Sequence, residues 1–120
     1  MSRNRASAKA AGARFERDIA DYLAANVDDR IDRRVKTGSK DRGDLGGWRY
    51  AGLRIVAECK NVIKLSLGTW WAEAEIEKAN DDADIALVIH KRHGRGAPQD
   101  QWVTTTLGEL VNLLHATKGN

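Results

Sequence analysis

The 120 residues of the chain are 42% apolar and 31% charged, with a formal net charge of +3, which predicts one globular domain and excludes a disordered chain. No apolar run approaches the roughly 18 residues that span a bilayer, and the N-terminal segment lacks the apolar region of a secretory signal. With Cys59 as its only cysteine, the chain suits a reducing compartment, and we expect a cytoplasmic protein without a membrane partner.

The first predicted elements are a basic arm and an amphipathic helix. Residues 1–8 are expected to form a flexible arm, and residues 9–120 the single domain. From Ala8 to Val27, apolar residues recur at three- and four-residue steps, which predicts a helix. Its apolar side chains are Phe15, Ile19, Tyr22, Leu23 and Val27. An edge strand is predicted over residues 30–36, and a glycine-rich loop follows it.

The middle of the chain is predicted to form a β-hairpin. Residues 44–50 and 53–60 have the composition of strands, and the pair Ala51 and Gly52 between them suits a tight turn. In this hairpin, residues whose numbers sum to about 102 or 103 would lie opposite each other.

The second half of the chain alternates helix and strand. A second helix is predicted to begin near Ser66 or Thr69 and to bury a stripe of small side chains, Ala72, Ile76, Ala79 and Ala83. Residues 85–90 are almost wholly apolar, as is typical of a central strand covered on both faces. A short strand and a last helix follow, the helix with Thr106 and Glu109 as a capping box and with a buried face of Leu107, Leu110, Val111 and Leu114. The predicted fold class is α/β, in the order α-β-β-β-α-β and then β-α, with a mixed sheet flanked by helices.

The segment Val56–Asn61 places two charges inside an otherwise apolar strand. Because strand side chains alternate, Glu58 and Lys60 share one face of the sheet. Burying either charge alone costs several kcal/mol, so each needs a partner or a metal ion. Taken alone, the two residues are most simply explained as an ion pair at a strand end.

Two further carboxylates are predicted to lie near this pair. The hairpin register places Asp44 opposite Glu58 or Cys59. On the first helix, about 100° per residue places Glu16 within the apolar stripe. Simpler explanations exist for both residues, an Asx-turn for Asp44 and a cap or salt bridge for Glu16.

Positive charge gathers around residues 3–14, 30–42 and 91–95, while acids concentrate in residues 73–84. This distribution suits a surface that binds phosphates and, equally, an ordinary solvated surface. Clustered carboxylates beside such charge suit Mg²⁺ or Mn²⁺, which prefer oxygen ligands. Such an ion polarises a phosphodiester, and a neighbouring lysine stabilises the developing negative charge. These features together predict metal-dependent DNA cleavage.

Three short motifs resemble the PD-(D/E)XK nuclease superfamily, most of all the Holliday junction resolvases of archaea and phages. They are GxxFER at Gly12–Arg17, the pair Gly43 and Asp44, and ECK at Glu58–Lys60. The resemblance extends from Gly12 to about His90 and implies a restriction-endonuclease-like αβββαβ core. Its specificity comes from the order and spacing of the motifs, and Gly43 stands where the family has proline.

The resemblance implies a role for each matched residue. Asp44 and Glu58 match the metal ligands, and the backbone carbonyl of Cys59 matches a further ligand. Lys60 matches the catalytic lysine, and Glu16 matches the first-helix carboxylate that completes the metal site. The implied cofactor is Mg²⁺, for which Mn²⁺ is expected to substitute.

The resemblance also implies contacts with DNA. A hydroxyl residue in the glycine-rich loop matches some resolvases, and either Thr37 or Ser39 fits this position. A polar residue of the second helix often lies near the site, and here Glu73, Glu75 and Lys78 are the candidates. The expected DNA-binding residues are Arg14, Arg33, Arg34, Lys36, Thr37, Ser39, Lys40, Arg42, Lys91 and Arg92.

The predicted function is a Mg²⁺-dependent endonuclease that cuts branched DNA such as four-way junctions and has no small-molecule substrate. A homodimer is expected, because two symmetric cuts suit twofold symmetry. The alternatives are another nuclease of the superfamily, acting on duplex or single strands, and a non-catalytic DNA-binding module. Trp70 and Trp71 are expected to cover the core or a dimer interface rather than to stack on bases. His90 is predicted to be structural, and His93 to contact phosphate.

Overall fold

The computed structural model of the chain describes residues 4–35 and 41–119, without the side chains of residues 118 and 119. Its elements are α1 (Arg5–Asn26), β1 (Asp32–Arg33), β2 (Leu45–Gly46), β3 (Arg49–Tyr50), β4 (Leu53–Lys60), α2 (Leu67–Asn80), β5 (Ile85–His90), a short 3-10 helix (Pro98–Asp100), β6 (Trp102–Thr104) and α3 (Leu107–Gly119). The fold is α/β, in the predicted order, except that the second predicted strand is divided into β2 and β3. None of the described helices is long and apolar enough to cross a membrane.

The sheet is mixed and mostly antiparallel. Its strands follow the order β1-β2-β4-β5-β6, and β3 pairs with the first part of β4. Only β4 and β5 run parallel, in a register that joins Ile55 to Ile85 and Lys60 to His90. All six residues of β5 are buried, which confirms the central strand expected from its apolar sequence. The carboxyl ends of the two longest strands, β4 and β5, therefore lie next to each other.

The hairpin has the predicted register. Ala51 and Gly52 both adopt positive φ, 50° and 83°, as a tight turn that follows the twist of its strands requires. Tyr50 lies opposite Leu53, and Leu45 lies opposite Ala57. The strand breaks between β2 and β3 near Gly47, where an added Cβ would lie 2.2 Å from the carbonyl oxygen of Arg30. That close approach admits only glycine.

Helices cover both faces of the sheet. On one face, Trp70 and Ala74 of α2 pack against Val56 of β4 and Ala86 and Val88 of β5. On the other face, α1 and α3 pack on different parts of the sheet. The α1 cluster contains Phe15, Ile19, Ala20, Leu45, Ala57, Cys59 and Ile89. Leu113 of α3 packs on a second group, Ile55, Ile85 and Leu87. Alternation along β4 therefore points Glu58 and Lys60 toward α2, and Ala57 and Cys59 toward α1.

The first helix begins earlier than its apolar pattern indicates. Asn4 caps it, because its side chain accepts a hydrogen bond of 2.8 Å from the amide of Ser7, which satisfies one of the free amides of the first turn. Residues 5–8, which were predicted to belong to the arm, are therefore helical. Val27, predicted to be buried, is exposed just beyond the helix end.

The predicted buried face of α2 is wrong, except that Ala83, which follows the helix, packs against the cluster of Trp70 and Ala74. Its buried residues are Trp70, Ala74 and Glu77, whereas Ala72, Ile76 and Ala79 are exposed. Each predicted residue lies two positions after a buried one, and a step of two residues is about 200° around a helix, which is roughly its opposite side. The tryptophan has the larger apolar surface and faces the sheet, and Glu77 lies on the same side of the helix.

The predicted buried face of α3 is also wrong. Leu107, Leu110, Val111 and Leu114 are exposed. The helix is attached to β5 through Glu109, whose carboxylate accepts hydrogen bonds from the amide of Ala86 at 2.7 Å and from Lys78 Nζ at 3.0 Å. The hydroxyl of Thr106 does accept a hydrogen bond from the amide of Glu109, so half of the predicted capping box forms. Its other half does not, because Glu109 reaches the strand instead.

Candidate metal centre

Three carboxylates meet between the sheet and α2. Glu58 comes from β4, Glu77 from α2 and Asp41 from the segment before β2. Each contributes one oxygen to a group whose members all lie within 4.8 Å of one another. Glu58 and Glu77 are buried, and Asp41 is exposed, so the group is open to solvent on one side. Three oxygens this close together suit a hard divalent cation.

Asp44 lies beside this group, as the hairpin register predicts. Its amide donates to the carbonyl of Ala57 at 3.0 Å. Its carboxylate oxygen Oδ2 accepts from the amide of Cys59 at 2.8 Å. Asp44 is buried, and its side chain continues the β2–β4 pairing in place of a backbone carbonyl. Its position next to Glu58 is therefore fixed by the hairpin.

Glu77 is the least expected member of the group. The residue is 1% exposed, and neither of its carboxylate oxygens has a hydrogen-bond partner. Its oxygen Oε1 would lie 3.5 Å from a Cβ added at Gly43, whose φ is +95°. An ionised carboxylate without any partner in a protein interior is strongly destabilising. Glu77 therefore needs either a proton or a cation.

The pKa values of the group show the same conflict. Burial, reinforced by the neighbouring carboxyls of Asp44 and Glu77, raises the pKa of Glu58 far above its usual range. Burial also raises the pKa of Glu77, to about 7. A carboxylate only accepts hydrogen bonds, so Glu58 and Glu77 can contact each other favourably only when they share a proton. A divalent cation would take the place of that proton.

Lys60 lies on the same face as Glu58, as predicted. Its Nζ donates to Oε2 of Glu73 at 2.8 Å. Burial alone would lower the pKa of Lys60, but the hydrogen bond to Glu73 and the charge of Glu58 outweigh it and raise that pKa. The side chain is therefore an ammonium held by α2. Among the α2 candidates, Glu73 contacts the site, Glu75 is exposed and Lys78 binds Glu109 instead.

Glu16 lies outside the group of three. It belongs to α1, on the face of the sheet that Cys59 occupies, whereas Glu58 points to α2. Its Oε1 accepts from the guanidinium of Arg33 at 3.3 Å. Both residues line a cleft of about 700 Å³ between α1 and β1. The role of Glu16 as a metal ligand stays a prediction.

The expected DNA-binding residues divide into three sets. Lys36, Thr37, Ser39 and Lys40 lie outside the described residues. Arg14 and Arg42 are exposed. The others have partners: Arg33 binds Glu16, Arg34 binds the buried Asp81 at 2.7 Å, Lys91 donates to the carbonyl of Arg95, and Arg92 lies over the ring of Trp102. Contact with DNA stays a prediction for all of them.

Three aromatic side chains near the site contact other residues of the protein, and contact of His93 with phosphate stays a prediction. Trp70 is buried in the α2 cluster, which confirms its predicted place in the core, and its ring contacts that of His90. His90 Nε2 makes a hydrogen bond of 2.7 Å with the hydroxyl of Thr104, and burial lowers the pKa of this histidine. His93 Nε2 donates to the carbonyl of Val62 at 2.9 Å.

Sequence reasoning missed Glu77 and Asp41. A signal for Glu77 was present, because Trp70, Ala74 and Glu77 follow the i, i+4, i+7 spacing of one helix face. Asp41 gave no signal distinct from a turn residue. Comparison with protein-family models, with curated proteins and with solved structures finds no match, so the proposals that follow rest on the residues of this site.

Proposed function

We propose that the chain is a Mg²⁺-dependent DNA endonuclease with a restriction-endonuclease-like core, as its motifs imply. The observation that carries this proposal is the buried Glu77 carboxylate, which has no partner and lies against Glu58 and Asp41. The antiparallel β2–β4 pair, the parallel β4–β5 pair and the helices on both faces are consistent with that core.

Glu58, Glu77 and Asp41 would hold the ion. Their oxygens suit Mg²⁺ and Mn²⁺, and the resemblance adds Asp44 and the carbonyl of Cys59 as further ligands. When bound, the ion would offset negative charge on the scissile phosphodiester and on its leaving oxygen. It would also balance the charge of Glu77, which no described residue balances.

The protein itself contributes an oriented ammonium. Lys60 extends from the same face as Glu58 and stays protonated because Glu73 holds it. A charged donor fixed beside the carboxylates stabilises negative charge that develops on phosphate oxygens, without reorganising during the reaction. Lys60 is therefore the proposed catalytic residue, and Glu73 is its positioning residue.

We propose that the active unit is a homodimer that acts on branched DNA. Exposed apolar residues in α3 and in the edge strand β6 are the candidate contacts: Trp102, Val103, Leu107, Leu110, Val111 and Leu114. A second copy covering this surface would present two identical sites related by a twofold axis. Two such sites would make the paired cuts that resolve a four-way junction.

The test is a cleavage assay with Mg²⁺ or Mn²⁺ on labelled four-way, forked, duplex and single-stranded DNA. We expect symmetric paired nicks on the four-way substrate. Glu58→Gln and Glu77→Gln should abolish cutting and retain DNA binding, whereas Glu75→Gln, on the exposed side of the same helix, should cut normally. Binding without cutting by the wild-type protein would favour a non-catalytic module, and normal cutting by both site variants would refute the site.

A further inference from the structure

Two loops leave the sheet at the edge where Lys60 lies. The first, residues 61–66, follows β4, and the second, residues 91–97, follows β5. Lys60 and His90 are paired in register, and the amide of Lys91 donates to the carbonyl of Lys60 at 2.9 Å. We call these two segments the edge loops. They start from adjacent positions next to the proposed catalytic lysine.

The edge loops contact each other, and all their charged side chains are basic. His93 Nε2 donates to the carbonyl of Val62. The loops contain four cationic side chains and no acidic one: Lys64, Lys91, Arg92 and Arg95. Within residues 4–35 and 41–117, none of these cations forms an ion pair with a carboxylate. Their charge is available to an anionic partner.

Apolar side chains project from the first loop between these cations. Ile63 is 76% exposed and Leu65 is 62% exposed. Isolated exposed apolar residues are ordinary, but here two lie on either side of Lys64, in a loop that a second basic loop contacts, and they form a small apolar projection. Ile63 is three residues from Lys60, so at most about 10 Å of extended chain separates them.

We propose that the edge loops bind DNA where base stacking is interrupted. Ile63 and Leu65 contact the faces of unstacked bases, and the four cations contact the flanking phosphates. Continuous duplex exposes few base faces, whereas a branch point exposes several, and apolar wedges at such steps are a known way to hold distorted DNA. This inference rests on the proposed nuclease function and assigns it a determinant of substrate choice.

The apolar projection is tested with the double variant Ile63→Ser/Leu65→Ser. In EDTA, where no cutting occurs, binding to a labelled four-way junction should weaken about tenfold. The variant loses two aliphatic side chains that would be partly buried against bases in the complex. Binding to duplex of the same length should not change. 2-Aminopurine at the branch point should be bright with wild-type protein and dimmer with the variant. Ile76→Ser, which removes an exposed apolar side chain from α2, is the matched control.

The cations are tested with Lys64→Ala/Arg95→Ala, both at exposed positions. Losing two phosphate contacts should lower the slope of log K against log salt by about 2 for every DNA, branched or not. Arg49→Ala, in β3 beside the end of β4 that is far from the edge loops, should leave the slope unchanged.

The outcomes separate this inference from the proposed function. Unchanged junction binding by Ile63→Ser/Leu65→Ser overturns the edge-loop inference, even if wild-type protein cuts junctions. Loss of junction preference in that variant supports the edge-loop inference. Failure of the wild-type protein to cut with Mg²⁺ or Mn²⁺ would count only against the proposed nuclease function. Vesicles containing phosphatidylserine test the competing partner. Vesicle binding that the variant loses, with junction binding intact, would assign the loops to a membrane surface and overturn the inference.

Discussion

Removing the charge of Glu77 should stabilise the metal-free protein at alkaline pH. The side chain is buried without a partner, so in the absence of a cation its ionised form opposes folding. Glu77→Gln keeps the shape of the side chain and removes the charge. Its amide also supplies N–H donors that can reach the carboxylate of Glu58.

The magnitude follows from the pKa of Glu77. Burial raises it from its ordinary value of 4.5 to about 7. Above pH 4.5 the folded state therefore binds more protons than the unfolded chain, so wild-type stability falls as pH rises and levels off above about pH 7. The full shift corresponds to about 3 kcal/mol. At pH 5 most of this loss has not yet occurred, and the expected difference between the two proteins is under about 1 kcal/mol.

The assay is urea unfolding of wild-type protein and Glu77→Gln in EDTA from pH 5 to pH 9. His90, whose pKa is lowered by burial, destabilises both proteins equally at acidic pH. It therefore cancels in the difference between them, which reports on Glu77 and its interaction with Glu58. We expect Glu77→Gln to be more stable by about 3 kcal/mol at pH 8. Adding Mg²⁺ should raise wild-type stability at pH 8 and leave the variant unchanged. A variant less stable than wild type at pH 8 without metal would refute the reasoning.

Three other changes test the fold around the site. Glu109→Ala should lower the free energy of unfolding by about 2 kcal/mol in urea, because a buried amide and an ammonium lose their acceptor, whereas Glu75→Ala should change it by less than about 0.5 kcal/mol. Gly52→Ala should lower the free energy of unfolding by about 1 to 2 kcal/mol, because its φ is positive. Gly47→Ala should lower it further, since Gly47 also has positive φ and lies against a backbone carbonyl. Equal losses of stability would contradict that contact. Leu114→Asp should convert the proposed dimer to monomer in analytical ultracentrifugation, and an unchanged sedimentation coefficient would place the interface elsewhere.

The strands were predictable because local sequence determines them. The turn at Ala51 and Gly52 sets the register of the hairpin, and that register places Asp44 beside Glu58. The apolar run of β5 identified the central strand by composition alone. Alternation along β4 then separated Glu58 and Lys60 from Cys59 correctly, since a period of two leaves no other arrangement.

The helix faces were not predictable from hydrophobicity. In α2 the small apolar residues point to solvent, and the buried side includes Glu77, which an apolar pattern assigns to the surface. In α3 the exposed face is the apolar one, because Glu109 binds the amide of Ala86 and fixes the rotation of the helix. In both helices the buried side contains a carboxylate, which an apolar pattern does not predict. The sequence does not reveal which groups such a carboxylate contacts once the helix packs on the sheet.

The most direct test of the metal centre is calorimetric titration of Mn²⁺ into the purified protein at pH 8. Wild-type protein and Glu75→Gln should bind the ion and release protons as it displaces them from the Glu58 and Glu77 pair. Glu77→Gln should lose this binding. Equal Mn²⁺ binding by wild-type protein and Glu77→Gln, or no binding by wild-type protein, would contradict the assignment of a divalent cation to this carboxylate group.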